Sequence, residues 1–112
     1  MLPDDAQERA AAVFAALADP TRRALLNELA SAGPATVTEL AGRVPVTRQA
    51  VAKHLAQLAE AGLVIQDAPV GRRHPYRLNA GPIRLALTWL SVLANEWDQR
   101  LSNLEQMLEA ER

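Results

Sequence analysis

The stretch PVTRQAVAKHLAQLAEAGLV, residues 45–64, has the residue spacing of an amphipathic helix with a marked beginning and end. Thr47 is of the type that caps a helix N-terminus, and Gly62 stands where a helix commonly ends in a left-handed residue. Between these signals, apolar residues recur on one side of the helix, at Val51, Leu55 and Leu58. The stretch therefore predicts a helix over about residues 47–61 that packs against a core through one side.

A shorter helix is predicted directly before this one. Residues Thr36–Glu39 (TVTE) form a capping box, in which the threonine and glutamate side chains bind each other's free backbone N–H groups. The helix that they open runs through Leu40 and Val44, and Pro45 ends it. A short helix, a tight turn and a longer helix make a helix-turn-helix, here over about residues 36–61.

The polar side of the longer helix carries the residues that suggest its function. Measured from Val51 at the centre of the inward side, Gln49 and Lys53 point nearly opposite, while Arg48 and His54 lie on the two flanks. In the major groove of DNA, arginine and lysine can bond guanine, and glutamine can bond adenine. Arg48, Gln49 and Lys53 are therefore the predicted base-reading residues, although a solvated helix surface is the alternative for such a pattern by itself.

Basic residues cluster in the middle of a chain whose formal net charge is only -1. Residues 43–77 hold six arginines and lysines against two acidic residues, which gives this segment a charge of +4, whereas the rest of the chain sums to -5. A concentrated basic segment favours contact with nucleic acid. The segment covers the second helix of the helix-turn-helix and the residues that follow it.

A β-hairpin is predicted after the helix-turn-helix, over about residues 63–78. Its strands are the apolar stretches at 63–65 and 76–78, and a turn-rich segment joins them. Arg72, Arg73 and His74 lie at its loop end and on its return strand, so we expect a basic tip.

Two helices are predicted ahead of the helix-turn-helix, one over about residues 4–18 and one from a cap at Asp19 to about residue 31. Arg22 and Arg23 stand at the start of the second helix, where they could touch phosphates. A solvated surface pair, or an ion pair with Glu28, explains them equally well.

The last predicted helix, over about residues 82–111, carries a heptad seam of apolar residues at steps of four and three. The seam consists of Ile83, Leu87, Leu90, Ala94, Trp97, Leu101, Leu104 and Leu108. A helix of 30 residues is roughly 45 Å long, which is more than one small domain can cover. We therefore expect a second copy of the chain to cover the seam.

Composition limits the classes of function. The 112 residues suffice for one domain, and the absence of cysteine excludes thiolate nucleophiles and sulfur-ligated metals. No glycine-rich phosphate loop, metal-ligand cluster or nucleophile with a base is recognisable, which argues against an enzyme. Without a signal peptide or a long apolar run, the chain is expected to be cytoplasmic, with no cofactor and no membrane contact.

The sequence resembles winged-helix transcriptional regulators of the ArsR type over nearly its whole length. The resemblance rests on ALADPTRRALLNELA (16–30), VTRQAVAKHLAQLAEAGLV (46–64) and GRRHPYRLN (71–79). It implies a mainly α fold with a small β-hairpin, in which one winged helix-turn-helix domain dimerises through its first and last helices. The implied function is that of a homodimeric repressor of a palindromic operator in double-stranded DNA.

The resemblance also assigns roles to residues. The helix at 47–61 would read the major groove and the hairpin at 63–78 would be the wing on the flanking backbone. The expected backbone contacts are Thr47, His54, Arg72, Arg73 and His74. The expected dimer interface comprises Val13, Phe14, Leu87, Leu90, Trp97, Leu101, Leu104 and Leu108.

The sequence departs from the metal-sensing members of this class. Many of those have thiolates in the first helix of the helix-turn-helix, or aspartate, histidine and glutamate ligands on the last helix. This chain has no thiol in residues 37–44 and no histidine on the last helix. We therefore expect no metal site. A small organic ligand near Trp89 and Trp97, or a partner protein, is left open as the regulator. The rival to DNA binding is a protein-interaction module that docks a partner through the last helix.

Overall fold

The helices and strands follow one another in the order that the sequence predicts. The computed structural model describes residues 3–111. Within them, the elements are α1 (Asp4–Leu17), α2 (Pro20–Ala32), α3 (Val37–Ala41), α4 (Arg48–Glu60), β1 (Val64–Gln66), β2 (Tyr76–Leu78) and α5 (Gly81–Ala110). The mainly α winged helix-turn-helix fold is thereby confirmed. No helix in this part of the chain is long and apolar enough to cross a membrane.

Local capping explains where the two helices of the helix-turn-helix begin. The capping box at α3 is formed, since the Thr36 side chain accepts from the Glu39 N–H and the Glu39 carboxylate accepts from the Thr36 N–H. The Thr47 hydroxyl accepts the backbone N–H of Ala50 at 3.1 Å, which caps α4. Both caps are those that the sequence predicts.

The end of α3 differs from the prediction, which extended this helix through Val44. The helix ends at Ala41, and the backbone then turns through Gly42 towards Pro45. Glycine is a poor helix former, and a residue before proline is disfavoured in helical geometry. Val44 is nevertheless buried, so its apolar side chain serves the core from a turn.

The C-terminus of α4 is a Schellman motif. The Leu63 N–H donates to the Leu58 carbonyl at 2.9 Å, and the Gly62 N–H donates to the Ala59 carbonyl at 3.0 Å. Gly62 has a φ of 76°, in the left-handed region that favours glycine. The turn reverses the direction of the chain and leads directly from α4 into the hairpin.

The wing is an antiparallel hairpin of β1 and β2, with Val64 opposite Leu78 and Gln66 opposite Tyr76. A segment before α3 adds one further pairing, because Ala35 and Tyr76 exchange two backbone hydrogen bonds. At the far end, Val70 and Arg73 pair around the two residues of the tip, and the first of these, Gly71, has a φ of 63°. Glycine at that position is typical of a type II′ turn.

The core holds the helix-turn-helix and wing together. Leu25 of α2, Leu40 of α3, Leu55 and Leu58 of α4, and Leu63 before β1 are all completely buried. They belong to one continuous apolar cluster that also includes residues of α1 and α5. This cluster fixes the side of α4 that faces inward and leaves the opposite side to solvent.

Helix α5 is packed for only part of its length. Its beginning lies against α1, where Ala86 is buried and the Trp89 ring meets the Phe14 ring edge-on, with 5.8 Å between centroids. Residues 93–110 are all exposed. The helix therefore projects from the domain, and the described chain measures 72 × 28 × 19 Å.

Candidate nucleic-acid interface

The three predicted base-reading residues lie together on the exposed side of α4. Arg48, Gln49 and Lys53 are all exposed, whereas Val51, Leu55 and Leu58 of the same helix are buried. Within residues 3–111, none of the three polar side chains has a hydrogen bond or an ion pair to another side chain. Their donors are therefore available to a ligand such as the edge of a base pair.

His54 lies on a flank of α4 and not on this exposed side, and its contact with the DNA backbone stays a prediction. Its ring turns towards the start of α2, with Nδ1 at 3.9 Å from Oδ2 of Asp19. That nitrogen is buried and has no hydrogen-bond partner in the described part of the chain. The helical position of His54 puts it on the flank of α4 that packs against α2, a contact that the sequence did not reveal.

The wing tip presents Arg72 and His74 to solvent. Arg72 occupies the second position of the two-residue turn, and it has no side-chain partner among the described residues. His74 is also exposed. The predicted basic tip is thus present, and Arg72 is its unpaired cation.

Arg73 turns back from the tip instead of projecting. Its Nη2 lies 2.6 Å from Oε1 of Glu39, the capping-box residue of α3, so this pair joins the wing to the helix-turn-helix. Arg43 approaches the other oxygen of Glu39 at 4.0 Å, and Arg77 pairs with Asp67 at 2.8 Å across the hairpin. Three of the six basic residues in this segment therefore contact a carboxylate, and two of them share Glu39.

The hydrogen bond from Arg73 is the main cause that lowers the pKa of Glu39 from 4.5 to about 2, and the capping contacts with Thr36 add to the effect. A carboxylate with a lowered pKa stabilises the folded protein above its unfolded pKa, and this stabilisation is lost as the pH falls towards the folded value. Glu39 is therefore ionised at neutral pH, and the stability that its lowered pKa contributes declines between about pH 4.5 and about pH 2.

Arg22 and Arg23, at the start of α2, form hydrogen bonds with the end of α1. Asp19 caps α2 by accepting the backbone N–H of Arg22 at 2.9 Å, and this hydrogen bond is the main cause that lowers the pKa of Asp19. The Arg22 guanidinium donates to the Ala16 and Ala15 carbonyls, and Arg23 donates to the Leu17 carbonyl. Both side chains thus cap the end of α1. Neither is paired with Glu28, and neither points to the reading residues.

The predicted interface residues of α5 lie at the surface. Leu87, Leu90, Trp97, Leu101, Leu104 and Leu108 are between 40% and 61% exposed, and Phe14 of α1 is 37% exposed. Val13 is different, because it is 1% exposed within the core of its own chain. Its assignment to a dimer interface is wrong, since the helical face of α1 that carries it already packs inside the domain.

The described residues show no group of three or more histidine, aspartate or glutamate side chains placed to hold a metal ion. The two tryptophans do not share a cleft: Trp89 packs on Phe14, whereas Trp97 lines an open groove of about 400 Å³ with Arg100, Leu101 and other residues of α5.

Comparison with known proteins agrees with the fold. Residues 17–67 match the family model of a helix-turn-helix domain. The HTH-type transcriptional regulator Rv2034 of Mycobacterium tuberculosis is 41% identical over 96 residues, 86% of this chain and 85% of that protein. The transcriptional repressor SdpR of Bacillus subtilis is 32% identical over 89 residues, 80% of this chain and 97% of that protein.

A solved structure of a transcriptional regulator has the same fold. The ArsR-like transcriptional regulator from Rhodococcus sp. RHA1 has a TM-score of 0.80 and 40% identity, covering 90% of this chain and 93% of its own. Fold and sequence together define a winged helix-turn-helix transcriptional regulator and not an enzyme. The chain belongs to the ArsR family.

Proposed function

We propose that the protein is a homodimeric repressor that binds an operator in double-stranded DNA. The observation that carries the proposal is the row of unpaired side chains Arg48, Gln49 and Lys53 on a capped, protruding helix, with the unpaired Arg72 on the adjacent wing. Repression is supported by the similarity to SdpR. It also suits a compact dimer, which would act by occluding a promoter.

The proposal divides the work between the two elements. Arg48, Gln49 and Lys53 read base edges, because their donors lie opposite the buried side of α4. Arg72 and His74 meet phosphates from the wing. Thr47 adds a phosphate contact at the start of α4, since its hydroxyl oxygen accepts the Ala50 N–H while its own proton is free to be donated.

Operator recognition is tested by selecting duplexes from a random pool with the wild-type protein and measuring affinity for the selected and random sequences. Gln49→Ala should lose roughly 1 to 3 kcal/mol on the selected duplex and little on random DNA. Gln106→Ala is the matched control, because this glutamine is equally exposed but lies on α5. A protein that selects no sequence, or a Gln49→Ala variant with unchanged preference, would contradict the assignment.

Two copies are needed for this function. The exposed leucines of α5 suit a two-fold contact with a second chain, and two reading helices would then enter major grooves about 34 Å apart. The operator should accordingly be an imperfect palindrome. The rival proposal, a protein-interaction module that docks a partner on α5, predicts no strong salt-dependent binding to duplex DNA, so a salt titration separates the two.

Control of the repressor is proposed to be independent of metal. The described residues provide no ligand cluster, and the sequence has no cysteine. The regulating signal would then be a small organic ligand near the aromatic side chains of α5, a partner protein, or the concentration of the protein itself.

A further inference from the structure

A polar bridge links α1, which packs along the helix of the proposed dimer interface, to the reading helix α4. Nη1 of Arg22 donates to Oε1 of Gln57 in α4 at 2.8 Å, while Nε of the same guanidinium donates to the Ala16 carbonyl of α1 at 2.8 Å. Nη2 reaches the Ala15 carbonyl at 3.2 Å. One planar cation from α2 thus holds the end of α1 and the last turn of α4 at the same time.

Apolar packing does little to join α1 and α4 directly. Helix α1 packs mainly on α5 and α2, and α4 packs on α2, α3 and β1. Between α1 and α4 lies a cleft of about 320 Å³, lined by Ala12, Ala15 and Ala16 on one side and by Gln57, Glu60 and Ala61 on the other. The Arg22 bridge crosses this cleft and joins the two helices directly.

The bridge has a defined place on α4. Gln57 lies one turn after Lys53 and on the same flank as His54, which faces Asp19 at the start of α2. The residues on the exposed side of α4 and those on this flank therefore move together as one rigid helix. A shift at Gln57 would change the position of Arg48, Gln49 and Lys53 relative to α1.

We propose that Arg22, acting through Gln57, is a positioning residue that sets the angle of the reading helix against the dimer helices. It determines operator specificity without touching DNA. The inference rests on the proposed function: two reading helices must reach successive grooves at a fixed spacing, and α1 packs along α5, the helix through which the partner is proposed to bind. Random DNA imposes no such spacing on base contacts, so non-specific affinity should be insensitive to the bridge.

Gln57→Met tests the proposal most directly. It removes the acceptor with little change in shape and no change in charge, and it leaves both caps from Arg22 to α1 intact. The affinity of this variant for the duplex selected by the wild-type protein should fall roughly tenfold, because hydrogen bonds to charged groups contribute about that much. Its affinity for random duplex and its salt slope should stay unchanged.

Arg23→Ala is the matched control for Arg22→Ala. Both variants remove one positive charge and capping contacts at the end of α1, two from Arg22 and one from Arg23, but only Arg22 reaches α4. Arg22→Ala should lower the ratio of operator affinity to random-DNA affinity as Gln57→Met does, and Arg23→Ala should leave the ratio unchanged. The double variant of Arg22 and Gln57 should lose no more specificity than either single variant, since both remove one interaction.

The outcomes separate three explanations. If Gln57→Met lowers the melting temperature but keeps the affinity ratio, the bridge is only structural and the proposal is wrong. If the losses of specificity from Gln57→Met and Arg22→Ala add in the double variant, Gln57 acts by its own contact with DNA. That result would also overturn the proposal. If the wild-type protein selects no duplex, the failure belongs to the proposed function, and sedimentation of each variant verifies that the dimer persists.

Discussion

The helix-turn-helix with its wing and the distal half of α5 have opposite relations to solvent. In the first region, the leucines of α2, α3 and α4 are all buried, and the caps and turns satisfy the helix ends. In the second, residues 93–110 are all exposed although they include Leu101, Leu104 and Leu108. The first region completes its core within one chain, and the second does not.

The difference shows which part of the protein depends on a partner. Exposed apolar surface costs roughly 25 cal/mol for each Å² that could be buried, and a contiguous apolar face on a monomer usually marks an interaction site. A second copy of α5 would cover this face with an identical seam. Four predictions, from the largest expected effect to the smallest, test this division between a self-sufficient region and a dependent one.

The largest effect is expected from a charge in the seam. Leu101→Glu places a carboxylate where two seams would meet, and an unpaired charge is costly to bury. The variant should be a monomer at micromolar concentration in analytical ultracentrifugation, and it should lose specific operator binding altogether. Its helix content should persist, because Leu101 contributes nothing to the core of the chain.

Trp97→Glu should give the same monomer. A wild-type protein that sediments as a monomer at micromolar concentration would remove the basis of the comparison, since the exposed seam would then be stable in water.

A leucine-to-alanine pair compares the two regions with the same chemical change. Leu55→Ala should destabilise the protein by about 2 to 5 kcal/mol at any protein concentration, because it leaves a cavity in a completely buried site. Leu104→Ala should destabilise only where the dimer is populated, because dimer formation contributes to stability by mass action. Urea unfolding at two protein concentrations measures the free energy of unfolding of both variants. If both lose the same free energy at both concentrations, the two regions do not differ in their dependence on a partner.

A smaller effect is expected from the two arginines of the wing. Arg72→Ala should weaken binding to all duplexes and flatten the dependence of log affinity on log salt by about one unit per protomer. Arg73→Ala should leave the salt slope nearly unchanged, because its guanidinium pairs with Glu39 and anchors the wing. If Arg72→Ala and Arg73→Ala flatten the salt slope equally, the ion pair between Arg73 and Glu39 opens when DNA binds. If the variant that carries both substitutions keeps the wild-type salt slope, the wing does not contact phosphates.

The smallest effect is expected from metals. Neither region brings together ligands for a transition metal among residues 3–111. Operator affinity should therefore change by less than about threefold when zinc, nickel, cobalt or copper is added at low micromolar concentration or is chelated. A tenfold loss with one equivalent of zinc per protomer, reversed by a chelator, would contradict this expectation.

The sequence was sufficient for features that depend on neighbouring residues. The cap at Thr47, the capping box at Thr36 and Glu39 and the stop at Gly62 each involve residues a few positions apart, so local spacing predicts them. The inward side of α4 followed from helical periodicity, and with it the exposure of Gln49 and Lys53. The end of α3 was less predictable, because glycine and proline weaken a helix gradually and packing selects where it ends.

What only the tertiary structure decided is the pairing of side chains distant in sequence. Arg73 joins Glu39 across 34 positions, and Arg22 joins Gln57 across 35. His54 turns to Asp19, and Val13 is buried by elements far along the chain. The sequence by itself determined the helices, the wing and the side of α4 that meets solvent, because short-range hydrogen bonds and apolar periodicity are local. It could not determine which of its cations remain unpaired, because the acids and carbonyls that neutralise the others arrive only when the chain folds.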